Sequence, residues 1–179
     1  EAQLAEAKLQ WPRAIKLREE VAEIALDWFE ARNFIGVLYL KLAKFKLAEP
    51  HFLAAVEVAV RTDNEAVALN NLATLFDATN RLSEAEPLMR RALAIDEQSF
   101  GPEHPDVARD LNNLALLLFE TNRLAEAEPL MRRALAIDEA SYGAEHPDVA
   151  RDLNNLAALL KATNRLAEAE PLMRRALAI

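Results

Sequence analysis

Three histidines, His51, His104 and His146, are the side chains of this 179-residue chain best suited to acid–base work or metal binding near neutral pH. Two of them stand in the same EHP tripeptide of successive copies of a repeated segment, which marks them as connector residues that the repeat has duplicated. No HExxH sequence, no glycine-rich phosphate loop and no serine with a base beside it is present, and there is no cysteine. Carboxylates are abundant, but on repeated helix surfaces they ordinarily serve as solvated charge. An active site is a singular constellation, whereas almost every polar group here occurs two or three times. No catalytic residue, no cofactor and no metal ligand is expected, and the chain reads as a non-enzyme.

A different chemistry is available to the paired asparagines Asn70 and Asn71, Asn112 and Asn113, and Asn154 and Asn155. A carboxamide both donates and accepts, so a ladder of them can pair with the N–H and C=O groups of an extended peptide whatever its sequence. One Asn of each pair could instead tie neighbouring helices together, a role that suits Asn71, Asn113 and Asn155 at least as well. Beside the ladder lie residues that could read side chains. Leu116 and Phe119 could form a shallow apolar pocket, and Arg109, Arg151 and Lys161 could meet carboxylates. Asp77 and Glu120 would repel an acidic ligand. An extended peptide with an acidic stretch and one bulky apolar residue is the ligand these groups suggest. Arg109 and Arg151 equally suit same-helix ion pairs of little energetic weight.

The elements that would position these groups follow from a 42-residue period. Residues 64–105 and 106–147 differ at 12 of 42 positions, and 106–137 and 148–179 at only 3 of 32. Within 106–147 a first helix carries Leu111, Leu114, Ala115 and Leu118 at helical spacing, opened by Pro105 and an N-terminal Asp106. A TNR turn follows, with Asn122 suited to the left-handed backbone that ends a helix. A second helix buries Ala127, Met131, Ala134 and Leu135, has Pro129 near its first turn, and stops at Gly143. One such hairpin cannot bury its apolar face alone, so consecutive hairpins must stack. Small residues at equivalent positions, Ala85, Ala127 and Ala169 with Ala92, Ala134 and Ala176, would let the helices approach closely.

Leu111-x2-Leu114-Ala115-x2-Leu118 followed by Ala127-x3-Met131-x2-Ala134 resembles the tetratricopeptide signature, with Leu at its first large aromatic position. The longer period, with its NNLA, EAEPL, RALAI and EHPDVA segments, is similar to the repeats of kinesin light chains and of many bacterial proteins. The resemblance implies an all-α, right-handed superhelical solenoid of antiparallel helix hairpins. It also implies that the NNLA asparagines hold the backbone of a bound peptide.

The expected organisation is a divergent helix or helix end at 1–26, a degenerate repeat at 27–63 with a connector five residues shorter, and repeats at 64–105, 106–147 and 148–179. Stacked hairpins curve, and their first helices line the concave wall. The three differences between the last two copies, Leu116 to Ala158, Phe119 to Lys161 and Glu120 to Ala162, share one patch of that helix at i, i+3, i+4 spacing. The earlier copy has Thr74, Asp77 and Ala78 there. The candidate peptide-binding face therefore comprises Asn33, Asn70, Thr74, Asp77, Arg109, Asn112, Asn113, Leu116, Phe119, Glu120, Arg151, Asn154, Ala158 and Lys161.

Composition narrows the partner. Hydrophobic residues make up 52% and charged residues 28%, which suits a folded helical chain. The net charge of -8 argues against a surface that tracks phosphates, so no nucleic acid is expected. No run of about 18 apolar residues suggests a membrane span. The absence of cysteine is compatible with the cytoplasm, which is the expected location. A chain that begins at Glu1 and ends at Ile179 within a motif reads as an excerpt of a longer one. The leading expectation is a scaffold for a protein or extended peptide. The alternatives are self-association through uncapped repeat ends, or a regulatory arm of an enzyme whose catalytic domain lies elsewhere.

Overall fold

The computed structural model describes residues 29–62 and 64–179, together with Lys16. The expected helix at 1–26 lies outside the described residues. Among the described residues there are eight helices and no strand: α1 (Phe29–Lys41), α2 (Phe45–Ala59), α3 (Glu65–Ala78), α4 (Leu82–Phe100), α5 (Pro105–Glu120), α6 (Leu124–Tyr142), α7 (Pro147–Ala162) and α8 (Leu166–Ala178). The chain divides into two compact units, residues 1–88 and 89–179, with the boundary inside α4.

In the first unit α1 packs on α2, α2 on α3, and α1 also reaches α3. Its core is built from Ala31, Ile35, Ala48, Phe52, Ala55 and Ala59, all sealed from solvent. Gly36 stands where the later copies have Ala73, Ala115 and Ala157. A Cβ there would lie 2.6 Å from the Phe52 ring, so the missing methyl makes room for a Phe in the place of Met89. The shortening of this copy falls in a helix and not in the connector: α2 has 15 residues where α4 and α6 have 19.

In the second unit α5 packs on α6, α6 on α7, α7 on α8, and α5 touches α7. Leu111, Leu114, Ala115 and Leu118 are buried, as the periodicity implied, and so are Val107, Ala108 and Leu117. The additional positions reflect geometry: a first helix meets its own hairpin partner on one side and a neighbouring hairpin on another, so more than one stripe is covered. Ala127, Met131, Ala134, Ala169 and Ala176 line the contact on the second-helix side. Leu135, expected among them, is only half-buried, at the edge of the cluster of Val149 and Leu153.

The turns are specified by residue type. Asn80, Asn122 and Asn164 take φ of 59°, 59° and 60°, and Gly101 and Gly143 take 89° and 85°. At the start of the first helices the structure corrects the sequence reading. The cap is the histidine before the proline: His104 Nδ1 accepts from the Asp106 N–H, and His146 Nδ1 from that of Asp148, both at 3.2 Å. Each imidazole also stacks on the aromatic that ends the preceding helix, His104 on Phe100 and His146 on Tyr142. Pro129 is likewise displaced from its expected place, because α6 begins at Leu124 and puts it in the second turn. It is tolerated there on an exposed face, where water can satisfy the carbonyl that loses its N–H.

Ion pairs repeat with the period. Glu97 on α4 meets Arg133 on α6 at 2.6 Å, and Glu139 on α6 meets Arg175 on α8. These partly exposed pairs contribute less than about 1 kcal/mol each.

Candidate functional site

The residues expected to face a ligand divide, on folding, into a solvent-facing strip and a buried seam. On α5 the strip consists of Arg109, Asn113, Leu116, Phe119 and Glu120, spaced so that all lie on one side of the helix. Leu116 is 38% exposed, which is substantial for a leucine in a helix whose other leucines are sealed, while Phe119 is half-buried. On α7 the same positions carry Arg151, Asn155, Ala158, Lys161 and Ala162. Within the first unit, α3 presents Val67, Asn71, Thr74, Asp77 and Ala78. The Thr74 hydroxyl is turned back on its own helix, donating to the Asn70 carbonyl at 2.8 Å.

The asparagine pairs do not sit as the sequence suggested. Asn70 and Asn112, the first members, are buried, and the Asn112 amide donates to the carboxylate of Asp152 on α7. It is therefore Asn112 that fastens one hairpin to the next, and its amide is not available to a peptide. Asn154 is exposed. The second members, Asn71, Asn113 and Asn155, are half-buried along the strip. In the first unit the Asn71 amide donates to Asn33 Oδ1 at 2.7 Å, so those two residues tie α1 to α3.

Both arginines of the strip are held by carboxylates. Arg109 Nη1 donates to Asp106 at 2.5 Å, and Nη2 lies 3.4 Å from both Asp96 of α4 and Asp110. Arg151 repeats the arrangement with Asp148 at 2.5 Å, Asp138 of α6 at 3.3 Å and Asp152 at 3.2 Å. An acidic ligand would have to compete with three carboxylates at each guanidinium. Between the two arginines opens a cleft of about 150 Å³, lined also by Pro105, Asp106, Asp138, Tyr142 and Asp148.

The four aspartates Asp96, Asp110, Asp138 and Asp152 were not singled out by the sequence, and all are buried. Burial pushes Asp138 up to about 7, and the neighbouring Asp152 charge acts in the same direction. Asp96 and Asp152 are raised as well, with burial again the first cause. Among the described residues no three His, Asp or Glu side chains are grouped so as to hold a metal ion. No helix there is long and apolar enough to cross a membrane.

Paired helices with sealed alanines at their crossings and asparagine turns are the geometry that the repeat signature implies, and the tetratricopeptide repeat pattern matches residues 29–98, 84–140 and 111–179. The chain belongs to the tetratricopeptide repeat family. Its fold is that of tetratricopeptide proteins already solved. BtubC (BKLC) from P. vanneervenii superposes with a TM-score of 0.88 at 24% identity, over 99% of this chain and 76% of that one. A putative kinesin light chain of nearly identical repeats from Podosopora anserina gives 0.79 at 20% identity, over 99% and 90%. MamA from Desulfovibrio magneticus RS-1 gives 0.75 at 14% identity, over 98% and 89%. No curated protein sequence matches. Tetratricopeptide repeats are in general scaffolds for protein–protein interaction and typically non-catalytic.

Proposed function

We propose that this chain is a scaffold that binds a protein or an extended peptide along the solvent-facing strip of its first helices, with α5 and α7 carrying the specificity. One observation supports this above others. Where residues 106–137 and 148–179 differ, at Leu116 and Ala158, Phe119 and Lys161, and Glu120 and Ala162, every difference falls on that strip, and the core beneath is identical. A surface that varies over an invariant frame is what a set of readers made from one template would present.

The half-buried Asn113 and Asn155 supply sequence-independent pairing to a peptide backbone, in place of Asn112, whose amide already serves Asp152. Leu116 and Phe119 supply an apolar contact, and Lys161 with Glu120 sets the polarity of charge along it. Arg109 and Arg151 border the strip but stand mainly as structural cations. The readout is apolar first and electrostatic second.

The test is a strip exchange. The triple variant Leu116→Ala, Phe119→Lys, Glu120→Ala gives α5 the strip of α7 and leaves the core unaltered. Affinity-purified interactors from host lysate are compared between parent and variant, with circular dichroism confirming equal helicity. Loss or replacement of the parent's specific interactors is the expected result. An unchanged set, at unchanged affinity, removes the strip from the reading.

A further inference from the structure

We propose that the seam between α6 and α7 is a proton-dependent joint, in which Asp138 and Asp152 share one proton that ties the two helices together and whose release loosens them.

The geometry leaves little alternative use for these groups. Asp138 and Asp152 are 2% and 0% exposed, and both approach the same guanidinium nitrogen, Arg151 Nη2, at 3.3 and 3.2 Å. Two carboxylates on one half-exposed cation carry an excess negative charge that burial makes costly. The Asp152 Oδ1 atom receives Arg151 and the Asn112 amide. Its Oδ2 atom is sealed from solvent and receives no hydrogen bond from any N–H group. A protonated Asp138 is the donor that fits: the contact between the two carboxyls raises Asp138 and lowers Asp152, as expected when the first donates and the second accepts.

Other charged and titratable groups face the seam from each packed element. On α7 there are Arg151 and Asp148, the latter 3.3 Å from His146 of the connector. On α6 Tyr142 lines the same cleft, and from α5 Asp106 and Arg109 face it. Asp106 is held by Arg109, whereas Asp148 takes Arg151 Nη1, so both buried acids share the remaining Nη2 of a cation already engaged by a third carboxylate. The arrangement recurs as Asp96, Asp110 and Arg109 between α4 and α5.

The direction follows from linkage. A carboxyl held above its ordinary value of about 3.9 binds its proton more tightly in the folded joint than in the opened one. The tie is fully present below that value and is lost as pH rises through about 7. The response thus falls between about pH 4 and 7 and weakens the joint on the alkaline side.

Two measurements on the full chain test this. A 13C titration of the Asp138 side-chain carboxyl should show a midpoint near 7; a midpoint at the ordinary aspartate value overturns the proposal. Asp138→Asn keeps the size and supplies a permanent donor to Asp152. Its thermal midpoint should exceed the parent's by several degrees at about pH 8, and the gap should narrow steadily toward about pH 4. Parallel pH profiles for parent and variant overturn the proposal. Should Asp138→Asn fail to fold, the parent alone decides: amide protection in α6 and α7, corrected for intrinsic exchange, should fall between about pH 5 and 8 relative to that in α1 and α2, and equal change in both pairs overturns it.

Discussion

The seam between α2 and α3 and the seam between α6 and α7 occupy equivalent places in the repeat but use opposite chemistry. In the first, Ala59 and Ala68 meet under Phe29 and Ala55, with Val67 beside them, so the positions that carry charge in the second are apolar here. In the second, Asp138, Asp152 and Arg151 stand at the same positions, stitched by Asn112. Both seams lie under the same hairpin geometry, so the charged version is not required for folding. An apolar seam holds at any pH, whereas buried acids introduce an adjustable joint into a fold that would be as well served by alanine. Buried ionic groups of this kind are weak evidence for stability, and their persistence in successive copies suggests a use beyond it.

The most severe way to break the comparison is to place one acid in the apolar seam. Ala68→Asp creates a buried carboxylate with Val67 where the two later copies have arginine. We expect a loss of about 4 kcal/mol at about pH 8, the scale of an uncompensated buried charge. Urea denaturation measures it, and adding Val67→Arg should restore part of the loss. A loss below about 1 kcal/mol would mean that the seam admits water, and that its apolar character is incidental.

Removing the cation from the charged seam should have the next largest effect. Arg151→Met keeps most of the aliphatic stem but leaves Asp138 and Asp152 without their shared partner, and we expect about 3 kcal/mol of destabilisation at about pH 8. Since protonation relieves the acids, the loss should be smaller at about pH 5. Equal losses at the two pH values would assign Arg151 to packing rather than charge.

How far the sequence revealed this arrangement depends on the range of the interaction. The Leu111, Leu114, Ala115 and Leu118 stripe, the sealed alanines and the left-handed Asn122 are local signals, set within one or two helical turns, and all are found in the structure. The seams are not local. Asp138 and Asp152 are brought together by a reversal of the chain at Gly143, and in the sequence each looks like one more solvated acid on a charged helix. A signal was present, since Ala59 of the degenerate copy and Ala68 of the repeat that follows it stand where later copies have aspartate, a paired change across two helices. The tying role expected of Asn71 is found, but at the next copy it passes to Asn112: periodicity identifies which helix carries an asparagine but not which neighbour covers it, and the covering hairpin buries Asn112 rather than Asn113. His104 and His146 were recognised as connector residues but not as caps, because that role depends on the dihedral angles of the turn.

The smallest and most informative change converts one seam into the other. Asp138→Ala, Arg151→Val and Asp152→Ala give the α6–α7 seam the residues of α2–α3, and Asn112→Ala removes the amide that the loss of Asp152 would leave unpaired. Replacement of a buried ionic cluster by apolar residues is commonly neutral or mildly stabilising, and the void left by the shorter side chains offsets part of any gain. We expect about 1 kcal/mol of added stability at about pH 8, and a pH profile between about 5 and 8 flatter than the parent's. Of the solvent-facing strip only Arg151, already engaged by three carboxylates, is altered, so affinity for a captured partner at acidic pH should be retained, while any parent response of that affinity to alkaline pH should disappear. Such an outcome would separate the reader from the joint: the strip would determine what is bound, and the buried acids would determine how firmly neighbouring hairpins hold that strip in place. A variant that is markedly less stable at alkaline pH would reverse the ranking of the two seams and make the charged one the stronger.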